Sequence, residues 1–205
     1  MNGVLAWALI VLSLAIVVVR RRSVALVAVT TQAGLLAIFG LAHVPGRSIG
    51  FLIAALVLVA KALAIGFGLR WTLRRTREDQ PIAERPSGPA RLLLAATGLV
   101  VAVALVPGFG IGGIAIERGA VGLVAGGILI VFLRKPTLFQ AIGLIVAENG
   151  IAFAATSVPH GLPSVIDIGA VFDLLVVIAA AVAFHERIFT LFGSGDSAAL
   201  SELRD

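Results

Sequence analysis

Residues 137–158 read TLFQAIGLIVAENGIAFAATSV, an almost uninterrupted apolar run with a single charge, Glu148, near its middle. A bilayer core about 30 Å thick takes roughly 20 apolar residues of helix to cross, so this run is long enough to span. Backbone groups in lipid must pair within their own segment, which makes the run a helix. The residue-by-residue alternation of a barrel strand is absent. Working outward, the same pattern recurs at about 3–19, 24–43, 49–69, 91–107, 118–133 and 163–184. The run at about 118–133 is short and glycine-rich, and Ile111–Ile116 can extend it. The expectation is an all-α polytopic transmembrane bundle of about seven spans.

Composition agrees with that reading. The 205 residues are 60 % hydrophobic and 13 % charged, with a mean hydropathy of +1.10. Soluble domains carry about 25 % charged residues, so an ordinary soluble globule is excluded. Disorder is excluded by the amount of apolar surface that must be buried. The chain has no cysteine, which removes disulfides, iron–sulfur ligation and thiolate metal sites. The net charge of +5 does not point to nucleic acid, because the basic residues lie between apolar runs and form no stripe.

The basic residues orient the bundle. The first run has none before it and Arg20, Arg21 and Arg22 after it, unlike a cleaved signal. With seven spans, thirteen basic residues fall on one side, from Arg20 to Arg204, and only Arg47 and Arg118 on the other. Positive-inside bias then puts the N-terminus outside and the C-terminus in the cytoplasm of the inner (plasma) membrane. The expected organisation is a three-helix block over 1–70, a cytoplasmic loop over 71–90, a four-helix block over 91–192 and a cytoplasmic tail over 193–205. The loop, rich in Arg and Pro, is read as an exposed link, with docking of a partner or of anionic headgroups as the second reading. The tail reads as a cap at Asp196 and a short helix carrying Leu200 and Leu203.

The informative residues are the charges inside the runs: Lys61, Glu148 and Asp173. Ionisable groups in spans are costly and face a bundle interior or a wet cavity. At about 1.5 Å per residue, Glu148 lies roughly 20 Å from Lys135, Asp173 roughly 21 Å from Arg187 and Lys61 roughly 14 Å from Arg70. Three helices thus bring one charge each to within about 7 Å in depth. Lysine reaches only about 6 Å from its backbone, too little to snorkel out of the core from there. The carboxylates are either a static packing pair with Lys61 or members of a proton relay, in which burial and opposite charge pull each proton affinity in opposite directions. Asp167, near the start of the last run, is either a helix-dipole partner or a proton entry or exit.

Other features read more plainly. His43, His160 and His185 sit at run ends and read as interfacial residues, with a proton shuttle as the second reading, and Gln32 with Thr30 and Thr31 suits hydrogen bonding between or within helices. Gly108–Gly113 satisfies G-x-G-x-x-G but follows no strand, so it is not a dinucleotide site. Gly122 and Gly126 form G-x-x-x-G, a close-packing motif. No nucleophile–base arrangement, phosphate loop or metal cluster is present, and no cofactor is expected.

Two segments carry a resemblance. Ile142-Gly143-Leu144 with Glu148-Asn149-Gly150-Ile151, and Leu162–Gly169 with Phe172-Asp173-Leu174-Leu175, resemble hydrogenase-4 component E. The closing Ala199–Arg204 and Lys61 are similar to that family too, while Asp167 stands where the family carries glutamate, one methylene shorter in reach. The last spans resemble the small K subunit of respiratory complex I and the small C component of multisubunit cation/proton antiporters. The resemblance implies a non-catalytic membrane subunit of an energy-converting hydrogenase or formate-hydrogenlyase-type complex. Its partners would be antiporter-like and other membrane subunits, and Lys61, Glu148, Asp173 and Asp167 would lie along a proton path. A scaffold subunit of such a complex or of an antiporter is the alternative. A self-contained transporter is disfavoured by the lack of an inverted repeat with broken helices.

Overall fold

The structure, a computed structural model, describes residues 2–42, 49–76, 87–105, 108, 110, 113–155 and 187. Six helices run in order: α1 (Asn2–Val18), α2 (Arg22–Ala42), α3 (Ile49–Thr76), α4 (Gly88–Leu105), α5 (Ile114–Leu133) and α6 (Thr137–Ala155). They coincide with the first six apolar runs. The run at about 163–184, with Asp167 and Asp173, and the tail lie outside the described residues.

The breaks between helices have local causes. Lys135 precedes Pro136, which disfavours helical geometry at the preceding residue. One residue earlier, Arg134 is already extended, at φ −118° and ψ 121°, and its N–H closes α5 on the Ile130 carbonyl at 3.0 Å. The Pro136 carbonyl then accepts from the Phe139 and Gln140 amides and starts α6. Before α5, Gly110 and Gly113 adopt φ of 72° and 107°, a region that residues with a Cβ rarely enter. Helix α5 therefore starts at Ile114, earlier than the expected 118.

The stretch between α3 and α4 also differs from expectation. The predicted loop over 71–90 is shorter, because α3 continues to Thr76 and α4 already starts at Gly88. Residues 69–76 contain no glycine or proline, and Leu and Arg are strong helix formers. The first breaker is Pro81.

Helix α5 packs on α6, α1 and α4, while α2 packs on α3, α1 and α6. Helices α1, α2, α6 and α5 thus form a four-membered core, with α3 flanking α2 and α4 flanking α1 and α5. Leu9, Leu36, Leu123, Ile142 and Phe153 fill the interior, and Phe39 meets Phe153 at a ring-centroid distance of 5.7 Å. Outside, Leu56, Leu63 and Phe67 of α3 and Leu93 and Val100 of α4 are exposed. Inside, Gln32, Lys61, Arg91, Arg134 and Asn149 are buried. Apolar side chains facing out and polar ones facing in are the arrangement of a protein whose solvent is lipid. Four helices (α2, α4, α5 and α6) are long and apolar enough to cross a membrane, and Gly3–Val18 and Ala55–Gly68 are shorter apolar helices. The chain is read as a membrane protein on that basis.

In lipid, apolar side chains gain nothing by leaving one medium for another, so helices associate through close packing and hydrogen bonds. Glycines provide the close packing on two sides of α5. Gly122 and Gly126 face α1, where an added Cβ would meet Ile10 Cδ1 at 3.1 Å and Ser13 Oγ at 3.2 Å. Gly127 faces α6, and a Cβ there would overlap the Ala147 amide nitrogen and the Gly143 carbonyl oxygen. A Cβ on Gly143 or Gly150 would in turn lie 2.7 Å from the Gly127 oxygen or 2.8 Å from the Ala120 oxygen. The G-x-x-x-G pair therefore packs against α1, and a second glycine set joins α5 to α6.

At one end of the bundle Arg134 ties α5 to α1. Its Nη1 donates to the Val17 and Val19 carbonyls at 2.9 and 2.6 Å, and its guanidinium lies 3.5 Å from the Phe139 ring centroid. The last carbonyls of a helix have no partner within it, and a cation there suits the helix dipole.

Replacing Gly127 by alanine should lower the stability of the detergent-solubilised protein by about 2 kcal/mol or more, since the new methyl meets backbone that cannot yield. Gly34→Ala, with nothing within 4 Å of its Cβ, should be neutral or raise stability by up to about 1 kcal/mol. Unfolding midpoints of the two variants against wild type check the contrast.

Candidate functional site

Lys61 stands in the middle of α3, in the run Leu58-Val59-Ala60-Lys61-Ala62-Leu63. Its Nζ lies 2.8 Å from Oε1 of Glu148 on α6. The lysine side chain is 2 % exposed and the glutamate side chain 22 %. Helix α3 packs chiefly on α2, so the ion pair reaches past α2 to a helix that is not α3's main neighbour. A lone charge at the centre of a bilayer costs about 2.5–3.5 kcal/mol on insertion scales. Two opposite charges in contact relieve each other of most of that cost, provided that their geometry holds.

The geometry is held by amides. Gln32 of α2, fully buried, donates from Nε2 to the Leu9 carbonyl of α1 at 2.9 Å. Its Oε1 accepts from Nδ2 of Asn149 at 3.0 Å. Asn149 follows Glu148 directly, and consecutive helical residues point about 100° apart. Pinning Asn149 to α2 therefore turns Glu148 towards α3. A polar layer results that crosses α1, α2, α6 and α3 in turn. Among the described residues, Lys61 has Glu148 as its one polar partner, and Asn149 Oδ1 is buried with no donor.

The two halves of this layer differ chemically. Gln32 and Asn149 neither gain nor lose protons near neutrality and serve to orient. Lys61 and Glu148 are titratable side chains of opposite charge in contact. Among the described residues, no three of His, Cys, Asp and Glu come together as a metal site would require.

Of the four residues singled out from sequence, Lys61 and Glu148 are brought together, and Asp167 and Asp173 lie outside the described residues. Gln32 hydrogen-bonds between helices, as its position in a span suggested. Glu117 escaped the sequence reading. It is buried in the first turn of α5, and a Cβ on Gly108 would lie 2.9 Å from its Oε2. Its signal was available, since an acidic residue in the first turn of a span suits the helix dipole. Arg22, Arg91 and Arg134 were counted only as surface charge, yet all three are buried.

Comparison with known proteins adds a family without a function. The chain is 30 % identical over 161 residues to an uncharacterized protein of Mycobacterium tuberculosis, Rv0085, covering 73 % of this chain and 70 % of that protein. No family model matches the chain. No solved structure matches it either. The chain belongs to the family of that mycobacterial protein.

The ion pair should appear as a coupling in a double-mutant cycle. Lys61→Met alone should cost about 3 kcal/mol, because it leaves a carboxylate without its cation. Adding Glu148→Leu should recover most of the loss, giving a coupling of about 1–3 kcal/mol. Strict additivity in detergent unfolding experiments would show that the two charges stabilise the fold independently.

Proposed function

We propose that the chain is a non-catalytic membrane subunit of an energy-converting hydrogenase complex of the hydrogenase-4 or formate-hydrogenlyase type. In this reading Lys61 and Glu148, with Asp173 of a seventh span, form part of a mid-membrane proton path, and Asp167 links it to the outer face. The N-terminus lies outside and the C-terminus in the cytoplasm of the inner membrane. Antiporter-like subunits are its neighbours, and it binds no cofactor of its own.

The observation that carries the reading is the 2.8 Å contact between Lys61 and Glu148 inside a bundle of apolar helices. Titratable groups in spans usually serve transport or proton transfer, because lipid makes them expensive as mere packing. The lysine is sealed while the carboxylate keeps some accessible surface. That suits a cation that sets the charge state of its neighbour and an acid that exchanges the proton. The resemblance of the segments around Glu148 and Asp173 to hydrogenase-4 component E supports the choice of complex.

A scaffold role draws on the same pair. Gln32 and Asn149 lock three helices together without any titratable group, and Lys61–Glu148 would extend that lock to the fourth.

The two readings separate in the assembled complex. With a proton-path role, Glu148→Gln and Asp173→Asn leave the membrane subunits co-purifying while lowering protons translocated per hydrogen formed at least twofold. Normal translocation by an assembled double variant would overturn the role. With a scaffold role, the neutral variants lose assembly, and exchanging Lys61 and Glu148 restores it.

A further inference from the structure

Among the described residues, two apolar grooves flank α5, and they differ in the charge among their lining residues. One, of about 490 Å³, lies against α6 and carries Glu117. The other, of about 530 Å³, lies between α1, α4 and α5, and its one charged lining residue is Arg118. Residues 117 and 118 point about 100° apart on the helix, which assigns one charge to each groove.

The second groove opens where the N-termini of α1 and α5 meet the C-terminus of α4. Trp7 and Arg118 stand within about 8 Å of the first residues of their helices at 1.5 Å per residue. That is the depth of the boundary between headgroups and acyl chains, where tryptophan concentrates in membrane proteins. Trp7 is 69 % exposed, and Arg118 is exposed with no ion pair among the described residues. Below them Ile10, Val103 and Ala104 continue the groove with aliphatic walls. A guanidinium at the mouth of an aliphatic slot matches a ligand with an anionic phosphodiester and a hydrocarbon tail. Arginine holds phosphate oxygens through two parallel N–H donors.

We propose that the groove between α1, α4 and α5 is a phospholipid site, with the phosphodiester on Arg118, the headgroup region beside Trp7 and one acyl chain between Ile10 and Val103. This site is independent of the role assigned to Lys61 and Glu148. Its place, at the end of the bundle opposite Arg134, is that of a structural lipid sealing the α1–α4 seam.

Native mass spectrometry of the full-length, detergent-purified protein titrated with dioleoylphosphatidylglycerol tests the site. Wild type should retain one lipid. Arg118→Gln should weaken that binding about tenfold, the effect of losing charge-assisted hydrogen bonds. Ala104→Trp, which fills the groove from an exposed position, should weaken it comparably, and Arg70→Gln, an exposed arginine on α3, should leave it unchanged. Dioleoylglycerol, with the same tails and no phosphate, and glycerol phosphate, with the phosphate and no tails, should each bind at least tenfold more weakly. Undiminished binding by Arg118→Gln, or equal binding of either half-ligand, would overturn the proposal.

Discussion

The structure depends on a constraint that lipid imposes and water does not: a polar group inside the bundle has only the protein to bond to. Lys61 meets this constraint through Glu148, and Gln32 meets it through Leu9 and Asn149. Each of these contacts joins different helices. The polar residues therefore do for this bundle what burial of apolar surface does for a soluble one. They select which helices are neighbours and at what height, since every mismatched register would strand a donor or an acceptor in hydrocarbon.

Such contacts are short, so they require backbones to be brought close first. The glycines on α5 and α6 do this. With Gly127 against Ala147 and Gly150 against Ala120, α6 is held in one axial register on α5. Asn149, beside Gly150 in sequence, then reaches Gln32, and Glu148 is turned to α3. A methyl group on Gly127 would act on the ion pair without touching it, by moving the helix that presents the carboxylate. Arg134 works in the same way from the end of the bundle, fastening the start of the α5–α6 turn to the last carbonyls of α1.

What could be read from the sequence was whatever depends on distance along a helix. The six described helices follow from run length alone. The shared depth of Lys61 and Glu148 follows from counting residues to Lys135 and Arg70. Azimuth was not legible, because it depends on which helices become neighbours. G-x-x-x-G at Gly122 and Gly126 announced a close contact without naming α1 as the partner. Gln32 announced an interhelical bond without naming Asn149. The buried arginines were hidden for a different reason. A basic residue at a span end reads as surface charge unless the carbonyls of another helix are known to converge on it, as those of Val17 and Val19 do on Arg134.

The ion pair is also unequal, and the inequality has a physical consequence. Lys61 is enclosed on all sides, whereas Glu148 keeps about a fifth of its side chain accessible. A carboxylate left open to acyl chains would lose the advantage that pairing with Lys61 provides. The accessible part of Glu148 therefore calls for polar surroundings rather than acyl chains. Burial of the lysine and partial exposure of the acid are thus two sides of one arrangement, in which the helix bundle encloses one partner of the ion pair and leaves the other partly accessible.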